Sequence, residues 1–232
     1  MSTPSLRLGA GLRLRAPISR RALFWSQLWS GLWSWLEWML AGALLIVLMP
    51  LLAAVVLAVA VASRKSPFIA HRRVGRYGQD FWMLKIRTMW DRNQPSGPRG
   101  ASWIEYLGDT HVPIFKGKRD PRVTSKLALF VRRFSLDELP QLVHVLNGSM
   151  RLVGPRPITR IEWDTYYGPS AAEVLSVSPG LTGLWQVMGR NRLTYAQRRR
   201  LDLFYARHST PQLDLLLLLR TPVRVLSGRD SG

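Results

Sequence analysis

The hydrophobic pattern is most uneven at residues 38–63, "WMLAGALLIVLMPLLAAVVLAVAVAS", a run without one charged residue. A bilayer core takes roughly 20 apolar helical residues, so the run predicts a membrane helix. Just ahead, "LFWSQLWSGLWSWLEW" holds five of the ten tryptophans. Trp25, Trp29 and Trp33 recur every four residues on one helical face, which suits the membrane–water interface, where the ring is buried and its N–H stays wet. A cleaved signal peptide fits poorly, because its apolar core is usually about 7–15 residues and sits near the start of the chain. The aromatic collar argues against a helix buried in a protein core.

Pro50 falls in the middle of this run, where it removes a backbone hydrogen bond and crowds the preceding turn. Each half, Leu40–Met49 and Leu51–Ala62, reaches roughly 15–18 Å, about half the hydrocarbon thickness. Positive charge flanks both sides: Arg7, Arg13, Arg15, Arg20 and Arg21 before, then Arg64, Lys65, Arg72 and Arg73 after. The positive-inside tendency favours keeping both ends on the cytoplasmic side. A re-entrant helix broken at Pro50 meets all three observations, and a Pro-kinked spanning helix stays open beside it.

Past residue 63 the pattern turns amphipathic. "FWMLKIRTM" (81–89) alternates enough for a short strand. "LPQLVHVLNG" sets Leu139, Leu142, Val143 and Leu146 on one helical face and stops at Asn147-Gly148. "TYAQRRRLDLFYARHS" opens with a capping box, Thr194 with Gln197 three residues on. "TPQLDLLLLLRTP" predicts a helix begun near Pro211 and closed by Pro222. "DRNQPSGPRGAS" (91–102) is the clearest loop. The expected fold is therefore mostly α, with little β. It divides into a basic, Trp-rich interfacial segment (1–37), the Pro-broken membrane element (38–63) and a compact cytoplasmic domain (64–232) with amphipathic interfacial helices.

Charge narrows the partners. The 232 residues carry 33 Lys+Arg against 14 Asp+Glu, so nucleic acid, an anionic lipid surface and a phosphorylated substrate all qualify. The absence of cysteine excludes disulfides, thiolate metal sites and Cys nucleophiles.

Within this basic chain, "RRFSLDELPQ" (132–141) places two adjacent carboxylates, Asp137 and Glu138. Ser135 with Glu138 matches a capping box, a purely structural reading. Pro140 disturbs that register, since with Ser135 as cap it removes a bond the helix needs. With Asp137 as cap, Pro140 falls among the N–H groups that have no partner anyway. That choice sets Asp137 and Glu138 at a helix mouth, where N–H groups and the dipole hold Asp137 ionised. Lys85, Arg87, Arg132, Arg133 and Arg156 supply cations for phosphate chemistry, in which a carboxylate can attack phosphorus. Cap and catalyst both remain open on these grounds.

Several motifs in order carry a resemblance. "KSPFIAHRRVGRYGQDFWMLKIRTM" (65–89), "KGKRDPRVTSKLALFVRRFSLDELPQLVHVLNGSMRLVGPRP" (116–157), "SPGLTGLWQVMGRN" (178–191) and "RLDLFYARHSTPQLDLLLLLRT" (200–221) resemble successive blocks of the bacterial sugar transferases, the small monotopic polyprenyl-phosphate phosphoglycosyl transferases. The resemblance implies transfer of a sugar-1-phosphate from a UDP-sugar to a polyprenyl phosphate, presumptively undecaprenyl phosphate, through an aspartyl-phosphosugar and with release of UMP. This is the first membrane step of exopolysaccharide, O-antigen or capsule assembly. It implies Asp137 as nucleophile, Glu138 as its partner in proton handling or metal binding, and Mg²⁺ held at Asp137 and Glu138. Lys85, Arg87, Arg132 and Arg156 become phosphate-binding positions, and Pro50 the break of a re-entrant helix. The implied setting is the cytoplasmic face of the inner membrane, with membrane lipids as partners and no nucleic acid; a homodimer is left open. No preceding bundle of spanning helices is seen, which matches the small form of the family. Ser66, His71, Ser149 and Arg151 depart from the family pattern, and Ser149, in place of an Asp, puts in doubt any substrate contact carried over from that position.

Elsewhere the structural readings lead. His71, His111, His144 and His208 lack metal-ligand spacing. Arg198–Arg200 reads as a solvated or headgroup-facing helix side, and Trp185 and Tyr205 as packing residues. Two rivals remain: a non-enzymatic anchored module that binds nucleic acid or anionic lipid, and a spanning scaffold for polysaccharide export.

Overall fold

The computed structural model describes residues 20–90, 103–108, 125–189 and 192–227, with side chains from residue 31 onward. The side chains of Trp25, Trp29 and the arginines before Gly31, the loop at 91–102, His111 and the DPRVT motif at 120–124 lie outside the described residues.

The membrane element and most of the Trp-rich segment form one helix, α1 (Arg20–Ser63), and the helical backbone continues through Pro50. From Gly31 to Ser63 it is long and apolar enough to cross a membrane. Its pattern is two-sided in packing. Glu37, Ala41, Leu52, Val55 and Val59 are buried, with Leu45 packed beside them, and these positions fall on one helical stripe. Ile46, Val47, Leu57 and Val61 are exposed.

After α1, β1 (Phe68–Val74) pairs antiparallel with β2 (Asp80–Ile86) and parallel with the short β3 (Ile104–Leu107), in the order β2-β1-β3. The strand expected in 81–89 is β2, and Met83 and Ile86 are its buried residues. Next come α2 (Lys126–Arg133), a 3-10 helix (Leu136–Gln141) and α3 (Leu142–Leu146). The chain continues with β4 (Arg151–Val153), α4 (Arg160–Glu162), which runs into a π turn (Trp163–Tyr167), and α5 (Ala171–Val174). Last are β5 (Gly180–Thr182), α6 (Leu184–Met188), α7 (Tyr195–His208) and α8 (Pro211–Ser227). Helix predominates, as the periodicity predicts.

Three apolar clusters hold these elements. One joins Ala41 of α1 to Leu142, Val145, Leu152, Val153, Tyr205 and Leu217. Another joins Leu52, Val55 and Val59 to Ile86, Trp90, Ala128 and Val131. The third packs Val74 and Ile158 against Tyr167 and α5. Both halves of α1, before and after Pro50, are thus built into the cores of the rest of the chain.

Three local expectations are corrected. The helix after Phe134 begins with Ser135 as its flanking residue, not Asp137, and as a 3-10 helix with Pro140 inside. Ser135 takes a left-handed backbone (φ 54°), which turns the chain sharply into the helix. The tight i→i+3 pattern then phases the next turn differently, so α3 buries Leu142 and Val145 while Val143 is exposed. Finally, α8 runs through Pro222 to Ser227. Pro222 leaves the Leu218 carbonyl without its helical donor, and one residue earlier the Thr221 hydroxyl donates to the Leu217 carbonyl (2.7 Å). The Thr194–Gln197 capping box forms as expected.

β4 and β5 pair in parallel and cross where no side chain fits. A Cβ on Gly180 would stand 2.0 Å from the Gly154 nitrogen, and one on Gly183 would stand 2.2 Å from the Gly154 oxygen. Because the obstacle is backbone, Gly180→Ala is expected to cost about 1–3 kcal/mol or more, read as a Tm roughly 5–10 °C lower in a thermal melt. An unchanged Tm would mean that the crossing relaxes freely.

Candidate active site

The 3-10 helix carries the acidic pair in its first turn, and β2 packs across it. Ser135 accepts from the Glu138 N–H (3.1 Å) through its carbonyl, and no side-chain cap forms. The Glu138 carboxylate is spent elsewhere. Its Oε1 accepts from Lys85 Nζ (2.8 Å), on β2, and from Arg156 Nη1 (3.2 Å), in the loop after β4. Despite burial, Lys85 and Arg156 hold Glu138 far below the usual carboxylate range.

Asp137 is the opposite case. Among the described residues no side chain donates to its carboxylate. Burial is the largest influence and pushes it up to about 6; Glu138 adds to this, while Lys85 and Arg132 oppose it. One carboxylate of the pair is tied to cations, and its neighbour is open. This replaces the expectation of an Asp137 held ionised as a cap: its charge rests on the basic neighbours.

β2 is an edge strand, and its Leu84 N–H is taken by His144 Nε2 (3.0 Å) from α3. Burial pushes the His144 imidazole below its usual value, consistent with an unprotonated acceptor. That bond fixes the backbone beside Lys85. Arg156 follows Pro155, whose carbonyl accepts from the Gly180 N–H (2.8 Å), and lies over the Trp185 ring (6.0 Å).

The structure therefore gathers Asp137, Glu138, Lys85 and Arg156, with Arg132 close enough to act on Asp137. Arg87 is not brought to the pair. Its Nε donates to the Ser66 carbonyl (2.7 Å) and its guanidinium pairs with Glu105, clamping the end of β2 to the neighbouring strands.

Residues that the sequence assigns to surface or packing also lie beside Arg156. Arg198 stacks on Trp185 (4.6 Å) and Tyr195 (5.2 Å), and Arg199 donates to the Tyr166 carbonyl (3.0 Å). The arginine run thus turns two of its guanidiniums inward. Nothing in the spacing of Trp185, Tyr195 and Arg198 along the sequence marks this stacking.

Two open questions of chemistry, phosphate binding and metal binding, meet here. Mg²⁺ is commonly held by one or two carboxylates plus substrate phosphates. Asp137 and Glu138 supply that number, and no group of three His, Cys, Asp or Glu with metal-binding geometry exists among the described residues.

The family model described as Bacterial sugar transferase matches residues 30–228. The chain belongs to the bacterial sugar transferases. It is 39% identical over 174 residues to the exopolysaccharide production protein ExoY of Sinorhizobium fredii, covering 72% of this chain and 73% of that protein. It is 38% identical over 189 residues to a UDP-galactose-lipid carrier transferase of Erwinia amylovora, covering 77% of this chain and 37% of that protein. It is 40% identical over 162 residues to an undecaprenyl-phosphate galactose phosphotransferase of Salmonella typhimurium, covering 70% of this chain and 33% of that protein. The chain thus spans about a third of the Erwinia and Salmonella proteins and about three quarters of the rhizobial one. Membership makes this sugar transferase an enzyme of the transferase class.

Proposed function

We propose that the protein transfers a sugar-1-phosphate from a UDP-sugar to a polyprenyl phosphate, with Asp137 as the covalent nucleophile. The observation that carries this reading is the division of labour in the pair, an open carboxylate beside one whose Oε1 is held by Lys85 and Arg156. The names of the Erwinia and Salmonella relatives, a UDP-galactose-lipid carrier transferase and an undecaprenyl-phosphate galactose phosphotransferase, support the acceptor class.

In the first step an Asp137 carboxylate oxygen forms a bond to the β-phosphorus. The bond from that phosphorus to the bridging oxygen breaks, and UMP leaves. In the second step a phosphate oxygen of the polyprenyl phosphate attacks the same phosphorus and returns the Asp137 carboxylate, leaving a polyprenyl-diphospho-sugar. Lys85, Arg156 and Arg132 meet the charge of the diphosphate. Glu138 keeps Lys85 and Arg156 in place and stays anionic through both steps. Mg²⁺, bound by Asp137 and Glu138 together with phosphate oxygens, would neutralise charge on the departing nucleotide.

The reaction is set at the inner membrane, with the catalytic residues on the cytoplasmic face and α1 re-entrant. Supporting this, residues on both sides of Pro50 are buried against the same domain, along roughly 33 Å from Glu37 to Val59. A helix that crosses the bilayer would carry one half away from a domain on one side. Since the chain lacks cysteine, Ser2→Cys and Ser227→Cys report sidedness directly. Impermeant maleimide should label both only from the cytoplasmic side, and labelling of the two from opposite sides would sink the re-entrant placement.

The assay for the reaction is UMP release from a panel of UDP-sugars with polyprenyl phosphate in vesicles. Turnover with at least one donor is expected, and none with any donor overturns the reading. Because the nucleophile must be ionised, kcat/KM should rise with pH through about 6 and level off above about 7. A profile flat between pH 5 and 8 would assign the attacking group elsewhere.

A further inference from the structure

Arg151, one of the departures from the family pattern, sits at the start of β4, and two carboxylates from distant parts of the chain converge on it. Its Nε donates to Glu37 Oε2 of α1 (2.7 Å), and its Nη2 stands 3.6 Å from Asp214 Oδ2 of α8. Asp214 also accepts from Trp33 Nε1 of α1 (3.2 Å) and from the Tyr205 hydroxyl of α7 (2.6 Å). Glu37 and Asp214 are 3% and 2% exposed. Two buried carboxylates on apolar helices are costly without a shared cation, and Arg151 is that cation. Three residues after Val153, where β4 ends, stands Arg156, which holds Glu138.

Resting on the function proposed above, we infer that Arg151 is a positioning residue: with Glu37 and Asp214 it fixes α1 against β4, and so sets the height of the phosphate-binding loop relative to the membrane. The two half-reactions feel this differently. Attack on a soluble UDP-sugar needs only the local pair and its cations. Transfer to an acceptor anchored in the bilayer also needs the loop at the depth where the lipid phosphate lies, and a misplacement of about 1 Å can cost up to a hundredfold.

The test uses the full chain in vesicles with three readouts: exchange of labelled UMP into the UDP-sugar, which reports the first half-reaction; transfer to a long-chain polyprenyl phosphate in the bilayer; and transfer to a short, water-soluble prenyl phosphate. For Arg151→Met, exchange and short-acceptor transfer should stay within about twofold of wild type, while long-chain transfer falls about tenfold or more. Because that change leaves two buried carboxylates without their cation, the paired variant Glu37→Met/Arg151→Met is measured beside it. Removing Glu37 together with Arg151 leaves Asp214 with its two neutral donors, Trp33 and Tyr205, and should give the same split. Arg151→Lys, which keeps the charge, should recover part of the long-chain rate.

If all three readouts fall together in the paired variant, Arg151 is structural and the proposal is wrong. It is equally wrong if long-chain transfer is unchanged in both variants. Absence of UMP exchange in the wild type overturns the functional reading itself, and the inference with it. That failure is told apart because it appears before any substitution is made.

Discussion

Replacing Asp137 by Asn is expected to lower UMP release and sugar-phosphate transfer by at least about a thousandfold, the scale on which deleting a catalytic nucleophile acts. The carboxamide matches the carboxylate in size but is a poor nucleophile toward phosphorus, so the covalent step is lost. The surroundings predict that the substitution is tolerated. Among the described residues no side chain donates to Asp137, so no partner is orphaned, and a neutral group removes repulsion from Glu138. Donor affinity should therefore stay within a few-fold of wild type or improve, since Lys85, Arg132 and Arg156 all remain. Wild-type protein incubated with a UDP-sugar carrying labelled β-phosphate should retain label through denaturation, and Asp137→Asn should retain none. A non-enzymatic anchored module predicts the reverse pattern, with binding as the only activity and no dependence on Asp137. Transfer by Asp137→Asn at near wild-type rate would remove the nucleophile assignment outright.

What the chain's pattern revealed about this site depended on range. The apolar run, the β2 strand, the Thr194 cap and the stop at Asn147-Gly148 are local events governed by neighbours a few residues away, and they appear where the sequence puts them. α-Helical bonding alone puts the start of the helix at Asp137, two residues later than the structure has it. A 3-10 turn entered through a left-handed Ser135 accommodates Pro140 differently, and propensity does not display that choice. The pairing of Glu138 with Lys85 and Arg156 spans 53 and 18 residues, so spacing could nominate these cations but not tell which would reach the pair. Arg87 looked equivalent to Lys85, two positions earlier on the same segment. Both belong to one edge of the sheet, yet Glu105 and the Ser66 carbonyl claim Arg87, and β3, which brings Glu105, joins through a long connection. Glu37 and Asp214 were the quietest signal: single acids in otherwise apolar helices. A lone charge in such a setting needs a partner, and nothing local in the sequence links either acid to Arg151.

Glu138→Gln is expected to lower turnover by roughly a hundredfold to a thousandfold, a range matching the loss of a group that organises transition-state charge. The reasoning differs from that for Asp137, because Glu138 is already committed. Its carboxylate holds Lys85 and Arg156 and lies far below its usual titration range, so it cannot exchange a proton near neutral pH. Its effect comes through its charge. With the charge removed, Lys85 and Arg156 lose the anion that holds them between substrates, and leaving such half-buried groups poorly paired costs about 1–3 kcal/mol of stability. A second readout separates this from simple misfolding. Glu138 raises the Asp137 pKa, so its removal takes away one upward influence, and a Lys85 released toward Asp137 lowers the value further. The acid limb of kcat/KM, near pH 6 in the wild type, should therefore move to lower pH even as the plateau falls. A partly unfolded protein loses plateau without moving the limb. If instead the limb moves to higher pH, or the plateau stays within about twofold of wild type, Glu138 does not govern the charge at Asp137, and its part in holding Mg²⁺ and the phosphate cations fails with it.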